Sequence, residues 1–249
     1  MSEKRVALIT GSSSGIGAAV ARRLADEGLR IVVNSARSTQ AGREFAASLP
    51  DAVYVQADIS DNDQAVRLVG SAIDAYGRLD VLVNNAGTTQ RIAHCDFAAA
   101  TPEVWRKILD VNVLGTWQVT AAALPHLAEA GAQSQSPSNV VNISSVAGVR
   151  PAGSSIPYAV SKAAINHMTR LLAAAAGPSV RVNAVAPGLV DTGWAQGFDD
   201  IRAMVEAKAP LRRVGRPEDV AATVWALICA QYTTGEVLLT DGGGHLAIG

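Results

Sequence analysis

The sequence predicts a doubly wound α/β fold, with a seven-stranded parallel sheet and helices on both of its faces. Three observations carry this. Short apolar runs rich in β-formers alternate with amphipathic helical patterns along the whole chain, the sign of repeated strand–helix–strand units. The runs are apolar throughout, not at every second residue, as strands covered on both faces must be. The 249 residues, 49% of them hydrophobic, suit a large α/β domain and exclude a disordered chain.

The elements follow in order. A first strand at 5–10 ends in the turn Gly11-Ser12-Ser13-Ser14-Gly15-Ile16-Gly17. A helix over 18–27 stops at Gly28, and a second strand occupies 31–33. Helical patterns at 41–49 and 62–76 enclose a strand at 52–57. A strand at 81–84 leads into a long helical pattern over 102–130. A polar loop tip at 132–138 precedes a strand at 139–143. A helix at 158–176, a strand at 180–185, a helix at 217–230 and a strand at 237–240 complete the alternation. Between 185 and 217 the pattern breaks. Pro187-Gly188, Gly193 and Gly197 precede a short helical pattern at 199–207, then Pro210 and Gly215. An excursion of that length inside a compact domain is usually functional, often a lid. The expectation is a single domain over 1–249 with a lid at about 189–215.

Composition removes several functions. A net charge of −1 offers no basic field for nucleic acid or an anionic membrane. No apolar run is long enough to span a bilayer, and the longest, 220–230, fits a buried helix. The first five residues lead into a strand, not a signal peptide. Cys95 and Cys229 are too few for a disulfide framework and read as reduced thiols of a cytoplasmic protein. His94, His126, His167 and His245 lack ligand spacing, so no metal site is expected.

The chemistry-bearing motifs sit at strand ends. The glycine turn after the first strand opens a helix, so its backbone can approach a diphosphate and offer free N–H groups to it. The spacing Gly11, Gly15, Gly17 is not G-x-G-x-x-G, and no Lys-Ser/Thr follows to make a P-loop. After the second strand the chain reads Asn34-Ser35-Ala36-Arg37-Ser38. The carboxylate that commonly holds the two adenosine ribose hydroxyls of NAD is missing, and Arg37 could meet a 2′-phosphate. This leans towards NADP, although a solvated arginine fits the same position. Asp58, Asn84-Asn85-Ala86-Gly87 and Pro187-Gly188 end three more strands. Each alone could be a turn or cap, but ligands of open parallel sheets lie along that edge. Tyr158 and Lys162, four residues apart, share one face of a helix. A cation beside a phenol, whose free pKa is ~10, favours the phenolate and suits acid/base work. Taken alone, such a pair is usually an ordinary helix surface pair.

Thr10-Gly-x-x-x-Gly-x-Gly17, Asn84-Asn-Ala-Gly87, Asn112, Ser145, Tyr158-x-x-x-Lys162 and Pro187-Gly188 together resemble the single-domain short-chain dehydrogenases/reductases, over essentially the whole chain. The resemblance implies a Rossmann-like fold and an NAD(P)-dependent oxidoreductase acting on a carbonyl or secondary alcohol. It implies that Tyr158 is the acid/base and that Lys162 lowers its pKa and binds the nicotinamide ribose. Ser145, in preference to Ser144, would hydrogen-bond the substrate oxygen, and Asn112 would help hold a water for proton relay. Gly11, Ser13, Ser14, Gly15, Ile16 and Gly17 would line the pyrophosphate. Asp58 and Ile59 would meet the adenine, and Asn85, Ala86 and Gly87 would lie along the cofactor. Pro187, Gly188, Val190 and Thr192 would flank the nicotinamide. A homotetramer or homodimer is implied as well.

The position before the second glycine is Ser14, where many NADP members of the family carry a basic residue. The 229–234 loop and the 176–179 lead-in are short. A 3-oxoacyl thioester is the second choice of substrate, because 88–97 (TTQRIAHCDF) is unlike the same stretch of those reductases. A cofactor-sensing scaffold without turnover is the alternative of another class. Trp105, Trp117 and Trp225 lie on helical patterns and suit packing, whereas Trp194 starts the lid and is placed to touch substrate.

Overall fold

The strand β1 (Val6–Ile9) is four apolar residues, all buried. In this computed structural model, which describes residues 4–134 and 136–247, β1 lies inside a seven-stranded parallel sheet of order β3-β2-β1-β4-β5-β6-β7. The others are β2 (Arg30–Ser35), β3 (Ala52–Gln56), β4 (Val81–Asn84), β5 (Ser138–Ile143), β6 (Val180–Pro187) and β7 (Val237–Thr240). Leu8 pairs with Val32 on one side and Leu82 on the other. The winding reverses between β1 and β4, which opens a crevice at the carboxyl ends of those strands.

The pleat divides the core in two, since successive side chains point to opposite faces. Ala7, Ile9, Ile31, Val33, Val81 and Val83 pack with α1 (Gly15–Asp26) and α8 (Pro217–Cys229). Val6, Leu8, Val32, Leu82, Val140 and Val182 pack with α3 (Asn62–Tyr76), α5 (Thr116–Gln133) and α6 (Ile156–Ala176). The continuous apolar runs therefore serve two cores. The helix α2 (Thr39–Ala47) joins the first through Ala46.

Several boundaries differ from expectation. The helix α1 begins at Gly15, not 18, because the glycine turn is itself the first helical turn. The pattern at 102–130 contains α4 (Pro102–Leu109), a π-helical stretch Asp110–Gly115, and α5. The wider turn lets Gly115 settle on Ile59, whose Cγ1 would lie 2.8 Å from a Cβ there. Such turns cluster at functional sites and leave little mark on hydrophobic periodicity. The helix α5 runs through Gln133 and β5 starts at Ser138, so the polar tip is shorter than expected. Residues 1–3 and Gln135, on which the leader and loop expectations partly rest, lie outside the described residues. Also unanticipated were 3₁₀ turns at Val146–Gly148 and Gly193–Ala195 and a last helix after α7 (Asp199–Lys208) and α8, namely α9 (Gly244–Ala247).

Leu82 is fully buried in the second core. Leu82→Ala is expected to cost about 2–5 kcal/mol through lost burial and the cavity it leaves. Chemical denaturation at neutral pH measures it, and a loss below the error of the method would contradict the assigned core.

Candidate active site

The crevice holds a cleft of about 1270 Å³. Ordinary small-molecule pockets are about 300–1,000 Å³, so this one has room for a large ligand and a second one beside it. One wall is the glycine turn. Gly11 and Gly15 adopt φ of +62° and +57°, a conformation that favours glycine. A Cβ on Gly11 would lie 2.9 Å from the Ala86 Cα. Ser14 gives α1 no side-chain cap, and its first turn has no acidic residue. The helix start is thus open to an anion from the cleft that Ser13, Ser14, Gly15 and Ile16 line. Gly17 differs from expectation. It is buried behind the wall, where a Cβ would meet the Asn85 amide nitrogen at 2.4 Å and the Gly11 carbonyl at 2.5 Å.

Asn85 holds this wall to β4. Its amide donates to the Thr10 and Gly11 carbonyls at 2.9 and 3.0 Å, while the Thr10 hydroxyl accepts from the backbone of Asn85 and Ala86. Asn34 turns inward at the end of β2, accepting from Gly11 N–H at 3.1 Å and donating to the Val55 and Ala57 carbonyls. The Ser35 hydroxyl pairs with that of Tyr54. Arg37 and Ser38 line the cleft beyond them, as do Asp58 and Ile59. Asp58 Oδ1 accepts from the Ser60 backbone and hydroxyl, a local turn; the cap of α3 is Asp61. Ala86, Gly87, Pro187, Gly188, Val190 and Thr192 line the middle of the cleft with Asn85. A Cβ on Gly188 would lie 2.8 Å from the Asp241 Cβ.

Tyr158, Lys162 and Ser145 converge on that middle. The Ser155 hydroxyl caps α6 by accepting from Tyr158 N–H. Lys162, almost fully buried, donates from Nζ to the Ile143 carbonyl at 2.8 Å, 5.7 Å from the Tyr158 ring centroid. The Ser145 side chain hydrogen-bonds the Tyr158 phenol and accepts from Ala147 N–H at 3.2 Å. Ser144 is buried beneath, donating to the Lys162 carbonyl and to Asn166 Oδ1. Burial pushes Tyr158 up to about 12, with the Ser145 hydrogen bond pulling the other way. Burial brings Lys162 down to about 8. In the chain alone, loss of water around the phenol sets the direction of that shift. Asn112, on the π-helical stretch, accepts from Thr88 N–H at 2.7 Å. It donates to the Thr88 carbonyl and to the Ser161 hydroxyl, which in turn donates to the Tyr158 carbonyl. Both of its amide N–H groups thus go to protein, tying it to Thr88 and, through Ser161, to the base of Tyr158.

The excursion after β6 leaves and returns at one point. Val190 bridges Gly215, with hydrogen bonds from Asp191 N–H to the Gly215 carbonyl and from Gly215 N–H to that of Leu189. Between these ends α7 buries no residue. The Trp194 ring lies 6.3 Å from that of Tyr158, tilted by 56°, and its Cη2 is 3.6 Å from where a Gly87 Cβ would be. Arg91, missed from the sequence because a lone loop arginine carries no periodic signal, ties 88–97 to the excursion. It bonds both Asp200 carboxylate oxygens and the Gly197 carbonyl and lies over the Phe198 ring. His94 meets the Gly153 carbonyl and His245 the Asp241 carboxylate. Among the described residues no group of His, Cys, Asp or Glu is arranged to hold a metal ion, and no helix is long and apolar enough to cross a membrane. Cys95 and Cys229 are exposed free thiols.

Comparison with known proteins agrees with this arrangement. A family model described as enoyl-(acyl carrier protein) reductase matches residues 11–245. A Streptomyces violaceoruber protein named as the granaticin polyketide synthase's ketoacyl reductase 2 is 62% identical over 247 residues, 98% of this chain and 97% of that one. The 3-oxoacyl-[acyl-carrier-protein] reductase of Thermotoga maritima is 35% identical over 249 residues, 97% and 98% of the two chains. The crystal structure of 3-ketoacyl-(acyl-carrier-protein) reductase from Brucella melitensis, complexed with NADH, superposes with a TM-score of 0.89 at 32% identity, covering 97% of this chain and 98% of that one.

Trp194, about half exposed over Tyr158, makes cleft occupancy visible. Adding NADH or NADPH should change the tryptophan emission of the wild-type protein, with most of that change lost in Trp194→Phe. An equal response in the variant would place the indole away from the bound ligand.

Proposed function

Because the chain belongs to the short-chain dehydrogenase/reductase family, and is thus an oxidoreductase of CH–OH and C=O groups, we propose that it reduces a ketone of a 3-oxoacyl thioester, such as a polyketide chain, with a nicotinamide cofactor. The observation that carries the reading is the convergence of Tyr158, Ser145 and Lys162 beside an uncapped helix start. The name of the 62% identical relative moves the thioester ahead of a simple ketone, despite the unfamiliar 88–97 segment. An apolar wall of Trp194, Phe198, Ile201, Met204 and Val205 suits an extended acyl chain.

The residues fit the cofactor. The open N-terminus of α1 and the close approach permitted at Gly11 suit a diphosphate, and Asp58 and Ile59 offer an adenine site. Arg37 and Ser38 beyond the inward-turned Asn34 favour a 2′-phosphate, so NADPH is the proposed partner. When bound, the nicotinamide supplies the hydride that reaches the carbonyl carbon. Tyr158, protonated throughout the neutral range, gives its phenolic proton to the carbonyl oxygen. The Ser145 hydroxyl stabilises the charge developing on that oxygen. Lys162 stabilises the phenolate left behind, and its lowered pKa lets it pass a proton back. The 189–215 segment acts as a lid, hinged at the Val190–Gly215 bridge. Exposed Leu114 and Trp117 support a homo-oligomer, tetramer or dimer. The cytoplasm suits the exposed thiols.

Three measurements test this. Tyr158→Phe should lose about 10²–10⁴-fold in turnover while keeping its affinity for NADPH; unchanged turnover removes Tyr158 as the acid. A panel of 3-oxoacyl thioesters and simple ketones, run with both cofactors, should favour thioester and NADPH, with Arg37→Ala erasing the cofactor preference. A wild-type preference for NADH would refute the role of Arg37. Reduction should hold steady through neutral pH and decline above about pH 8 as Lys162 loses its charge. A rate that climbs from pH 7 to pH 9 would contradict the need for the ammonium.

A further inference from the structure

Ser145 and the Tyr158–Lys162 pair come from separate segments, the turn after β5 and the helix α6. Something must hold them in register, because an error of about 1 Å in a reacting group can cost roughly 100-fold in rate. Asn166 lies one helical turn beyond Lys162 and is only 5% exposed. Its Oδ1 accepts from the Ser144 hydroxyl at 2.6 Å, and its Nδ2 donates to the Gly148 carbonyl at 3.0 Å. These partners lie on either side of Ser145 in the chain. The Ser144 hydroxyl also reaches the Lys162 carbonyl at 3.2 Å, and its backbone N–H donates to the Val185 carbonyl at 2.8 Å. Gly148 lies flush on the helix, since a Cβ there would fall 2.6 Å from the Lys162 carbonyl carbon. Gly148 N–H closes the turn on the Ser145 carbonyl at 2.9 Å.

A buried amide is costly unless both its ends are satisfied. Here both ends are used, and both on the segment that carries Ser145. We propose that Asn166, with Ser144 as its partner, is a positioning residue that sets the Ser145 hydroxyl against the Tyr158 phenol. The proposal rests on the reading of Ser145 and Tyr158 given above. Asn166 touches neither phenol nor cleft and acts only through the turn it clamps. Ser144 thus gains a role as the anchor beneath Ser145.

The test compares kcat, cofactor KM and melting temperature for wild type, Asn166→Asp, Ser144→Ala, Ser145→Ala and the two double variants with Ser145→Ala, using acetoacetyl-N-acetylcysteamine and NADPH. Asn166→Asp keeps the acceptor for Ser144 and loses the donor to Gly148. Both single variants should lower kcat about 10–100-fold and leave cofactor KM unchanged. On the residual turnover of Ser145→Ala, neither should cause a further loss, because coupled residues are not additive. If Asn166→Asp does not fold, Ser144→Ala carries the same cycle. Normal kcat in folded variants overturns the proposal, as does a loss that adds in full to that of Ser145→Ala. Unchanged turnover in Ser145→Ala itself would instead remove the role assigned to Ser145, and the clamp with it.

Discussion

The Lys162 ammonium is almost wholly withdrawn from water, with the Ile143 carbonyl 2.8 Å from its nitrogen. Burying a charge costs several kcal/mol unless hydrogen bonds replace its hydration. That cost ties the place of α6 to the end of β5. Helix and strand must meet where the carbonyl can receive the ammonium, and the same meeting carries Tyr158 to the cleft. A polar row below reinforces it. Asn84 at the end of β4 donates to Thr120 on α5 and to Asn142 on β5, and Asn142 donates to Thr169 on α6. In a core otherwise packed by interchangeable apolar groups, these directional bonds fix the rotation of α6 about its axis.

The other wall is held by a different economy. Gly17 buries no side chain, and its lack of one lets Asn85 cross from β4 to the carbonyls of the first turn. The turn is therefore braced by the protein's own hydrogen bonds. Its helix start is left uncapped, a deficit that a bound anion would fill. Thr192, early in the excursion after β6, has its Cγ2 3.5 Å from where a Cβ on Gly15 would lie. Excursion and glycine turn thus share one stretch of the cleft.

Much of this was legible in the residues. The alternation of apolar runs and helical patterns located all seven strands, because each strand had to fill two cores and so could not alternate. Tyr158, Lys162 and the glycine turn stood out because their spacings are short and local, and Ser145 through the family resemblance; Gly11, Gly15, Ser145, Tyr158 and Lys162 all line the cleft. What stayed hidden depends on partners far apart in sequence. Asn112 was expected to help hold a water, and the partners of its amide, Thr88 and Ser161, come from segments that no local spacing links to it. Gly17 was expected at the ligand and lies behind it. Arg91 meets Asp200 across 109 positions of chain, and no periodicity encodes such a pair. The π-helical stretch leaves hydrophobic spacing nearly intact while it changes which face Asn112 presents. The upward push on the Tyr158 phenol was hidden for the same reason: it comes from water lost around the ring, which depends on the whole fold.

The burial of the pair bears on the proton transfer proposed for it. With burial pushing the phenol to about 12 and the ammonium to about 8, a neutral solution finds the phenol protonated and the lysine charged. This is the state from which a proton can be given to a carbonyl oxygen. Removing water around Tyr158 therefore does two things at once. In the proposed reduction it would keep the proton in place until the carbonyl is bound, and it would strengthen the field of Lys162 on the phenolate once the proton has gone. That loss of water comes from how tightly α6 closes on the turn that carries Ser145.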